Sequence, residues 1–595
     1  MMDTPINDQV QRVQAMLYAK ASQEPETRFK RLYKYLTKSE WAEAAIDKVL
    51  RNRGSRTAGI DGKTRQDYLD KANQKELVED LLDELITQTY SPQPVRRTYI
   101  PKANGKKRPL GISTLKDRVV QQMVKMAIEP IYEATFLPCS YGFRSNRCTW
   151  DALAEAHRFL QPHCQYYTII EGDVENCFGT INHSLLMRQL QRRISDKRLL
   201  ALIWKLLRTG VVEELRYNET TEGAPQGSIV APVLANVYLH RLDEWMHQRF
   251  HAMTGGQRYV RRQQGELVSV RYIRYCDDWI VLMRDEERAE ALKQELADFI
   301  QQELKMTLSQ EKTSITHARD GFDFLGVRTF IAPLRSNPNR ILPFQIPSKK
   351  AVKAYRQKVK ELTHRDLDYL PPAERIKTLN WLIRGWANYH RWGNAKETFA
   401  ALTHWTNRKV HLMLRRYTSK GWKTTYQTYF QPISKCTNLH QWHNYTRWST
   451  PAVKIDGNIQ IGLLPMSIIS TRDYWRNRGT RIPPAYRLLK DQTPYNERDT
   501  DFYTDLEVIE KTKIDQMVHG NPTKYGLEYR QNRKLILQQS RYTCTVCGYK
   551  SQRRKGEVHD LEVHHLNPNG GNGIDNLQTV CLACHRQLTA NEQAD

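Results

Sequence analysis

The stretch Arg271–Met283, RYIRYCDDWIVLM, decides the fold of this chain of 595 residues. Alternating apolar and polar residues precede Asp277 and Asp278, as in a half-buried strand, and an unbroken apolar run follows them. The pattern predicts two strands joined by a tight turn that carries both carboxylates. Adjacent carboxylates are costly to hold together unless a cation lies between them. A polar turn that happens to contain two Asp is the alternative, because Asp is common in turns.

The composition predicts a multidomain protein whose partner is a polyanion. The chain has 91 Lys and Arg against 65 Asp and Glu, a formal net charge of +26. This excess favours nucleic acid over a merely solvated basic surface, because uncompensated charge repels itself. No run of about 18 apolar residues occurs, so we expect no membrane span, and the N-terminus lacks the pattern of a secretory signal. The length suggests roughly three to five domains.

The cysteines predict one metal site rather than a disulfide scaffold. Of ten Cys, four form two Cys-x-x-Cys pairs near the end of the sequence, Cys544 with Cys547 and Cys581 with Cys584. This spacing is typical of a structural Zn²⁺ site. The other six are scattered singly, as reduced thiols are.

A second apolar run, Tyr166–Asp173 (YYTIIEGD), indicates a buried strand that ends in a carboxylate. The Asp-Asp turn follows later in the chain, and a Gly- and Pro-rich loop, Thr221–Ser228, lies between them before a predicted helix at 231–241. If the three carboxylates come together, they can hold two Mg²⁺ ions in a phosphoryl-transfer centre. One ion would activate an attacking 3′-hydroxyl and the other a leaving pyrophosphate.

A basic hairpin is predicted at Thr98–Ile112, TYIPKANGKKRPLGI. Two short strands flank an Asn-Gly pair, which is a strong hairpin signal. Lys102 and Arg108 belong to a cluster of cations that can grip a triphosphate. A solvated basic hairpin is the alternative.

Taken in order, these stretches resemble the group II intron-encoded reverse transcriptase/maturase family. Tyr275–Asp278 is similar to the Tyr-x-Asp-Asp box of reverse transcriptases. The other matching segments are Arg108–Ile112, the strand that ends at Asp173, Ala224–Pro232, Leu308–Thr313 and Gly321–Gly326. The resemblance covers nearly the whole chain.

The resemblance implies roles for individual residues. Asp173 and Asp277 would be the main Mg²⁺ ligands, with Asp278 the third carboxylate. Phe178 would be an aromatic gate that excludes the ribose 2′-hydroxyl, although plain core packing is the alternative for this ring. The residues expected to contact the incoming dNTP are Lys102, Arg108, Gln226 and Lys312.

Three positions depart from the family pattern without removing a metal ligand. Gly179 stands where an acid is usual after the gate, and Cys276 stands where a small residue such as Ala is usual before the two Asp. Ser228 stands where Gly usually follows the Gln-Gly pair. Gly179 bears most directly on how the strand before it is positioned.

The implied fold class is multidomain α+β, built around a right-hand polymerase with an antiparallel palm sheet. We expect an N-terminal helical extension at 1–60, fingers and palm at 61–345, a helical thumb/maturase (X) domain at 346–440, a DNA-binding region at 441–535 and an HNH endonuclease module at 536–595. In 346–440 aromatic and basic residues recur at helical spacing. The aromatics are expected in the core and the cations on the RNA-facing surface.

The C-terminal insertion between the cysteine pairs resembles an HNH endonuclease of the ββα-metal fold. By that resemblance, His565 is the general base, His564 and His585 bind a divalent ion (Mg²⁺ or Mn²⁺), and Asn576 shapes the loop. The four cysteines would hold a separate structural Zn²⁺. A purely structural four-Cys site, or an inert module that grips DNA, are the alternatives.

The resemblance implies an RNA-directed DNA polymerase and maturase that binds its group II intron RNA and assists splicing. It would nick target DNA and copy the intron from the freed 3′ end with dNTPs, in a bacterial cytoplasm near the nucleoid or in an organelle. The alternatives are an RNA-binding splicing cofactor without polymerase activity, and a CRISPR-associated or other reverse transcriptase. The oligomeric state stays open.

Overall fold

The chain folds into two compact units, Met1–Thr500 and Asp501–Asp595. The computed structural model describes residues 5–471 apart from short gaps at 102–106, 146, 214–215, 219–221, 224–226, 267–268, 310–312, 443, 446–447 and 456–458. Beyond residue 471 it describes residue 495 and residues 536–537, 539–540, 542–550, 561–566, 577–581 and 584. No helix in these parts of the chain is long and apolar enough to cross a bilayer.

Most helices bury one face and expose the other. In chain order they are α1 (Pro5–Gln23), α2 (Tyr33–Leu36), α3 (Ser39–Arg51), α4 (Lys71–Ile86), α5 (Leu115–Glu133), α6 (Thr149–Phe159), α7 (His183–Arg193), α8 (Lys197–Leu207), α9 (Ala231–Met246), α10 (Gly255–Gln263), α11 (Ala289–Leu304), α12 (Lys349–Leu362), α13 (Pro372–His390), α14 (Lys396–Thr418) and α15 (Trp422–Tyr429). In α8, Leu199, Leu202, Ile203 and Leu206 are buried, which is the spacing of a single helical face.

The strands pair mostly antiparallel. They are β1 (Val95–Pro101), β2 (Lys107–Ile112), β3 (Thr168–Asp173), β4 (Val211–Glu213), β5 (Arg216–Asn218), β6 (Val270–Tyr275), β7 (Asp278–Met283), β8 (Ser314–His317), β9 (Phe322–Phe324), β10 (Val327–Leu334), β11 (Asn337–Pro347), β12 (Phe430–Pro432), β13 (Ser449–Ile455), β14 (Ile459–Gly462), β15 (Leu561–His565) and β16 (Leu577–Cys581). The predicted basic hairpin is present as β1 and β2, in a sheet of order β2-β1-β4-β5.

The N-terminal helices share one hydrophobic core with the segment that follows them. This core runs from Val10 in α1 to Leu308, just before β8. The indole Nε1 of Trp41 in α3 donates to the backbone oxygen of Met123 in α5 at 3.0 Å. The expected extension at 1–60 therefore packs as part of the core of 61–345 rather than as a separate body.

The central sheet, of order β6-β7-β3-β8, is buried on both faces. In β7, Trp279, Val281 and Met283 enter the large N-terminal core, whereas Ile280 and Leu282 enter a second core on the other face. Successive side chains of a strand point to opposite faces, so burial on both sides requires an unbroken apolar run. The predicted strand–turn–strand is confirmed by the antiparallel pairing of β6 and β7.

The sheet β12-β13-β14 packs with helices α12, α13 and α14 around one core that runs from Tyr355 to Ile469. The Asn380 side chain ties them together, since its Nδ2 donates to the Gly462 oxygen at 2.9 Å and its Oδ1 accepts from the Leu464 N–H at 2.7 Å. We call residues 349–469 the helix–sheet module. Its core crosses the expected boundary between 440 and 441, because the apolar residues after 440 cover the helices before it.

The aromatic residues of α13 are divided between core and surface. Trp386 packs against the core of the helix–sheet module, as expected, and Tyr389 packs against the second core of the central sheet. Trp381, expected inside, is instead 66% exposed. It lies on the face of α13 that turns away from both cores, which helical spacing alone did not identify.

In the second unit, β15 and β16 pair antiparallel from Leu561 opposite Cys581 to His565 opposite Leu577. Leu561, Val563, Leu577 and Val580 form a small core with Cys544 and Cys584. A core of this size supplies little stabilisation, and such modules usually depend on a bound metal.

Candidate active site and metal centre

The register of the central sheet brings the three predicted carboxylates to one end of it. Asp173, the last residue of β3, lies directly opposite Asp278, the first residue of β7. On the other side of β7, Tyr275 lies opposite the same Asp278, which leaves Cys276 and Asp277 as a two-residue turn. Side chains opposite each other in an antiparallel pair have Cβ atoms about 4.5–5.5 Å apart. Acidic groups far apart in the chain therefore meet at the hairpin tip.

These carboxylates suit hard divalent cations that share a substrate. Asp278 is exposed, and Asp173 and Asp277 are half-buried. Among the described residues, only the four cysteines have metal-ligand atoms close enough together to hold an ion without further ligands. Mg²⁺ is usually held by one or two carboxylates together with substrate phosphates and water, so a closed protein cage is not required.

The turn that carries Asp277 has a backbone conformation supported by a neighbouring loop. Cys276 adopts a φ of 60°, in the left-handed region that two-residue hairpin turns often need. Gly142 packs directly behind it, since a Cβ at this position would overlap the backbone nitrogen of Cys276. The Tyr141 N–H donates to the Arg274 oxygen, and the Arg274 N–H donates to the Cys139 oxygen, both at 2.8 Å. The loop at 139–142 therefore extends the sheet beneath the turn.

A buried ion pair that the sequence analysis missed anchors the same turn. The Arg274 guanidinium is fully buried and forms a bidentate pair with Asp243 of α9, at 2.7 Å from Nε and 2.6 Å from Nη2. Its remaining N–H groups donate to Asn236 Oδ1, Ser140 Oγ and the Cys276 carbonyl at 3.1, 2.8 and 3.0 Å. Every guanidinium donor is thus satisfied.

Both members of this pair stay charged. Burial alone would raise the pKa of Asp243, but Arg274 outweighs it and holds that pKa below its usual value. Burial likewise opposes the charge on Arg274, and Asp243 raises the Arg274 pKa in return. The sequence did contain a signal for this ion pair, namely an Arg between apolar residues in a predicted strand. A cation buried there requires a buried anionic partner.

Phe178 lies in a single 3-10 turn, Cys177–Gly179, directly after β3. Its ring is half-buried against the large core and meets Phe143 edge-on, with centroids 6.1 Å apart. The Phe178 ring is thus partly packed in the core and partly exposed. The turn also touches the Gly-rich loop, since a Cβ on Gly223 (φ +85°) would lie 2.8 Å from the Gly179 oxygen.

Gly179, which stands where the family has an acid, sits under the Asn176 side chain. A Cβ at 179 would overlap the Asn176 amide, so an acid would require that side chain to move. The neighbouring loop is held by His183, whose ring Nε2 lies 2.6 Å from the Gly223 oxygen. The turn that carries Phe178 therefore packs against the Gly-rich loop at Gly223.

The other predicted nucleotide contacts are only partly described. Arg108 is exposed on β2, opposite Ile100. Gly227 (φ +112°) approaches the same strand, since a Cβ there would lie 2.6 Å from the Gly111 oxygen. The basic hairpin therefore contacts the loop that follows Gln226. Lys102, Gln226 and Lys312 themselves lie outside the described residues.

The four cysteines of the second unit fit a structural zinc ion. The Sγ atoms of Cys544, Cys547, Cys581 and Cys584 all lie within 4.8 Å of one another, and those of Cys547 and Cys581 are 3.7 Å apart. Zn–S bonds of about 2.3 Å at the corners of a tetrahedron place the sulfurs about 3.8 Å apart. Burial opposes ionisation of Cys544, but backbone N–H groups of Cys547 and Cys581 outweigh it and lower the Cys544 pKa, which favours the thiolate that binds metal.

The predicted nuclease residues are described only along β15. His564 is buried and lies opposite Gln578, and the next residue, His565, lies opposite Leu577. Asn576 and His585 lie outside the described residues, as does the side chain of His565.

Replacing Cys547 with Ser is expected to remove the zinc ion that we propose the four cysteines bind, because three thiolates hold the ion far more weakly than four. Metal analysis of the purified full chain should show about one zinc per chain before the change and much less after it. Cys148→Ser, at another exposed cysteine, is the matched control and should leave zinc content unchanged. Full zinc content in the Cys547→Ser chain would contradict the assignment.

Four family models match separate parts of the chain. The N-terminal domain of reverse transcriptase matches residues 4–81, and reverse transcriptase (RNA-dependent DNA polymerase) matches residues 100–329. The group II intron maturase-specific domain matches residues 352–430, and HNH endonuclease matches residues 544–591. The matches follow the order of the structural parts described above.

Two curated relatives are similar over half of the chain or more. Protein YkfC of Escherichia coli is 35% identical over 361 residues, which cover 58% of this chain and 93% of YkfC. Group II intron-encoded protein LtrA of Lactococcus lactis is 33% identical over 344 residues, which cover 50% of this chain and 56% of LtrA. The chain therefore spans nearly all of the first relative and about half of the second.

Proposed function

Because this chain belongs to the family of group II intron-encoded reverse transcriptases and maturases, we propose that it binds its own intron RNA, assists splicing and copies that RNA into DNA at a nicked target. It is an enzyme with two catalytic domains, a reverse transcriptase and a C-terminal HNH endonuclease. The observation that carries the proposal is the pairing of Asp173 with Asp278 beside the turn that holds Asp277. A protein that acts on intron RNA and genomic DNA would be located where those nucleic acids are, in the cytoplasm of a bacterium near the nucleoid or in an organelle.

In the proposed right-hand arrangement, the central sheet is the palm. The β1–β2 hairpin and the N-terminal helices act as fingers, and the helix–sheet module is the thumb/maturase domain. Residues 441–535 are proposed to contact DNA, although the segment up to residue 469 also completes the core of the module. The β15–β16 hairpin belongs to a ββα-metal nuclease built on the four-cysteine zinc site.

Asp173 and Asp277 are proposed to hold two Mg²⁺ ions, with Asp278 as the third carboxylate. When bound, the ions supply activation of the primer 3′-hydroxyl and stabilisation of charge on the leaving pyrophosphate. Arg108 and Lys102 on the basic hairpin would bind the triphosphate of the incoming dNTP. Gln226 and Lys312 would line the nucleotide pocket, and the Phe178 ring would lie against the sugar.

The proposed polymerase is tested by extension of a DNA primer on an RNA template with dNTPs and Mg²⁺. Synthesis that requires the RNA template and stops when Mg²⁺ is chelated is the expected result. If the protein promotes splicing of its intron RNA yet never extends a primer, the polymerase function is contradicted and the function of a splicing cofactor remains. Splicing assays with and without dNTPs on the Asp277→Ala chain distinguish these two functions.

Replacing Phe178 with Ala is expected to relax sugar selection, because a ring that excludes the 2′-hydroxyl acts by steric conflict. The preference for dNTP over the matching rNTP, measured as a ratio of kcat/KM values, should fall by about 10- to 100-fold. Phe143→Ala removes the ring that meets Phe178 edge-on and should change the ratio much less. An unchanged ratio in the Phe178→Ala chain would assign the ring to core packing.

In the proposed nuclease, His565 is the general base, His564 and His585 bind a divalent ion, and Asn576 shapes the loop. His565→Ala is expected to slow DNA nicking by at least about 10²-fold while DNA binding persists, since a general base contributes roughly this much. His163→Ala, at an exposed imidazole of the other unit, serves as the control. If the wild-type chain binds DNA but never nicks it with Mg²⁺ or Mn²⁺, the module only grips its target.

A further inference from the structure

Helix α15 carries a row of aromatic rings at the surface of the helix–sheet module. Trp422 and Tyr426 are spaced four residues apart and so share one face of the helix, and Phe430, the first residue of β12, directly follows it. The rings of Tyr426 and Phe430 are stacked, with centroids 4.2 Å apart and planes inclined by 21°. Trp422 and Tyr426 are nonetheless 47% and 48% exposed. We call these three residues the α15 aromatic row.

A buried imidazole supports the row from beneath. His411 of α14 is only 1% exposed and stacks on Trp422, with centroids 3.8 Å apart and planes inclined by 21°. The same ring lies 6.1 Å from Tyr426 and 5.5 Å from Phe430. Burial, assisted by Arg415, lowers the pKa of His411, so the ring is mostly neutral at pH 7. One face of the Trp422 ring is therefore covered by the buried His411 ring.

A cation stands beside the exposed ring. The guanidinium of Arg415, one turn after His411 in α14, lies 5.8 Å from the centroid of the Trp422 ring. No carboxylate in the described part of the chain forms an ion pair with Arg415, whereas its neighbour Arg416 pairs with Asp368 at 2.7 Å. A guanidinium that no carboxylate neutralises is suited to a phosphate.

The sequence around the row contains no acid. No Asp or Glu occurs between Glu397 and Asp456. The same segment contains nine basic residues, namely Arg408, Lys409, Arg415, Arg416, Lys420, Lys423, Lys435, Arg447 and Lys454. Such one-sided charge complements a polyanion and disfavours a basic or neutral protein partner.

We propose that the α15 aromatic row, with His411 beneath it and Arg415 beside it, is a stacking site for unpaired bases of RNA. Stacking needs a free base face, which a duplex hides between its own base pairs, so the occupant is a loop, bulge or single-stranded end. RNA is favoured over DNA because the row lies within the segment that matches the group II intron maturase-specific domain, residues 352–430. Identifying that RNA as intron RNA rests on the proposed function.

Trp422→Ala in the full chain tests the site, with fluorescently labelled oligonucleotides as probes. These are a single-stranded RNA, the blunt RNA duplex of the same length, and single-stranded DNA of the same sequence. The variant is expected to bind the single-stranded RNA about tenfold more weakly or worse, and the duplex within about twofold of the wild type. Trp422→Phe should restore most of the affinity, because a smaller ring still stacks.

Two further variants separate stacking from charge and from misfolding. Trp381→Ala removes another exposed indole of the same module, one on which no ring stacks among the described residues, and should leave binding of the single strand nearly unchanged. Arg415→Met should weaken binding of the single strand and reduce its salt dependence by about one phosphate contact. The far-ultraviolet circular dichroism and melting temperature of each variant show whether the module remains folded.

Three results would overturn the proposal. They are unchanged binding of single-stranded RNA by Trp422→Ala, an equal loss for the duplex, and a loss confined to single-stranded DNA. Primer extension by the same variants on an RNA–DNA primer–template reports separately on the carboxylate site. If the wild-type chain synthesises DNA and Trp422→Ala leaves RNA binding intact, only the stacking site is refuted. If Trp422→Ala weakens RNA binding but the wild-type chain never synthesises DNA, only the polymerase is refuted.

Discussion

Asp277→Asn should abolish DNA synthesis, lowering the rate of primer extension by at least about 10³-fold while RNA binding is retained. Removing a carboxylate ligand costs several kcal/mol of charge stabilisation in the transition state, and each 1.36 kcal/mol is a tenfold loss of rate. The amide keeps the shape of the side chain, so the turn between β6 and β7 has no reason to refold. Asp173→Asn is expected to have a similar effect, because both carboxylates are proposed to bind the same ions.

The control for this experiment is Glu175→Gln. Glu175 lies two residues after Asp173, is exposed and follows the end of β3, so it has no partner position across β7. It should leave the extension rate within about twofold of the wild type, as surface substitutions usually do. The double variant Asp173→Asn with Asp277→Asn should be hardly slower than either single one, because residues that act as a unit are not additive. Normal synthesis by Asp277→Asn would remove the basis for the proposed polymerase.

The second large effect is expected from Arg274→Met, which leaves Asp243 charged and buried without its partner. Breaking a buried pair in this way lowers the free energy of unfolding by about 3–5 kcal/mol. Denaturant unfolding of the full chain, followed by tryptophan fluorescence and by loss of primer extension, measures the change. Arg375→Met is the matched control for both measurements. Arg375 is 2% exposed and pairs with Asp368 at 2.6 Å, but this pair lies in the helix–sheet module, away from the hairpin tip.

A compensated variant separates stability from positioning. Arg274→Met with Asp243→Leu removes both charges, and an apolar pair of similar volume often matches or exceeds the stability of a buried ion pair. We expect this double variant to recover much of the lost stability but to polymerise slowly, because the Cys276 carbonyl has lost its donor next to Asp277. Recovery of full activity together with stability would show that the pair only holds the core.

Some features depended only on short-range patterns and could be predicted. The alternation before Asp277 and the apolar run after Asp278 predicted β6 and β7, and the structure has both strands. The two Cys-x-x-Cys pairs predicted four sulfurs around one point, and these lie within 4.8 Å of one another. Strand period and ligand spacing are local properties, so the order of residues is sufficient for them.

The family resemblance carried the prediction further than the residues alone could. An isolated Asp at the end of a strand, such as Asp173, does not reveal which other strand it will face. The ordered set of motifs implied that it would meet the Asp-Asp turn, and the register of β3 with β7 places Asp173 opposite Asp278. The roles of these carboxylates in catalysis stay predictions until the variants are measured.

The sequence by itself determined the strands, the acids and thiols they carry, and the basic character of the chain, because these follow from neighbours in the chain. Only the tertiary structure decided that Arg274 pairs with Asp243, that Gly142 packs behind Cys276, and that the core of the helix–sheet module continues past residue 440. It also decided that Trp422 stays exposed over a buried His411. Each of these depends on which surfaces meet when distant segments pack, and no local period records that choice.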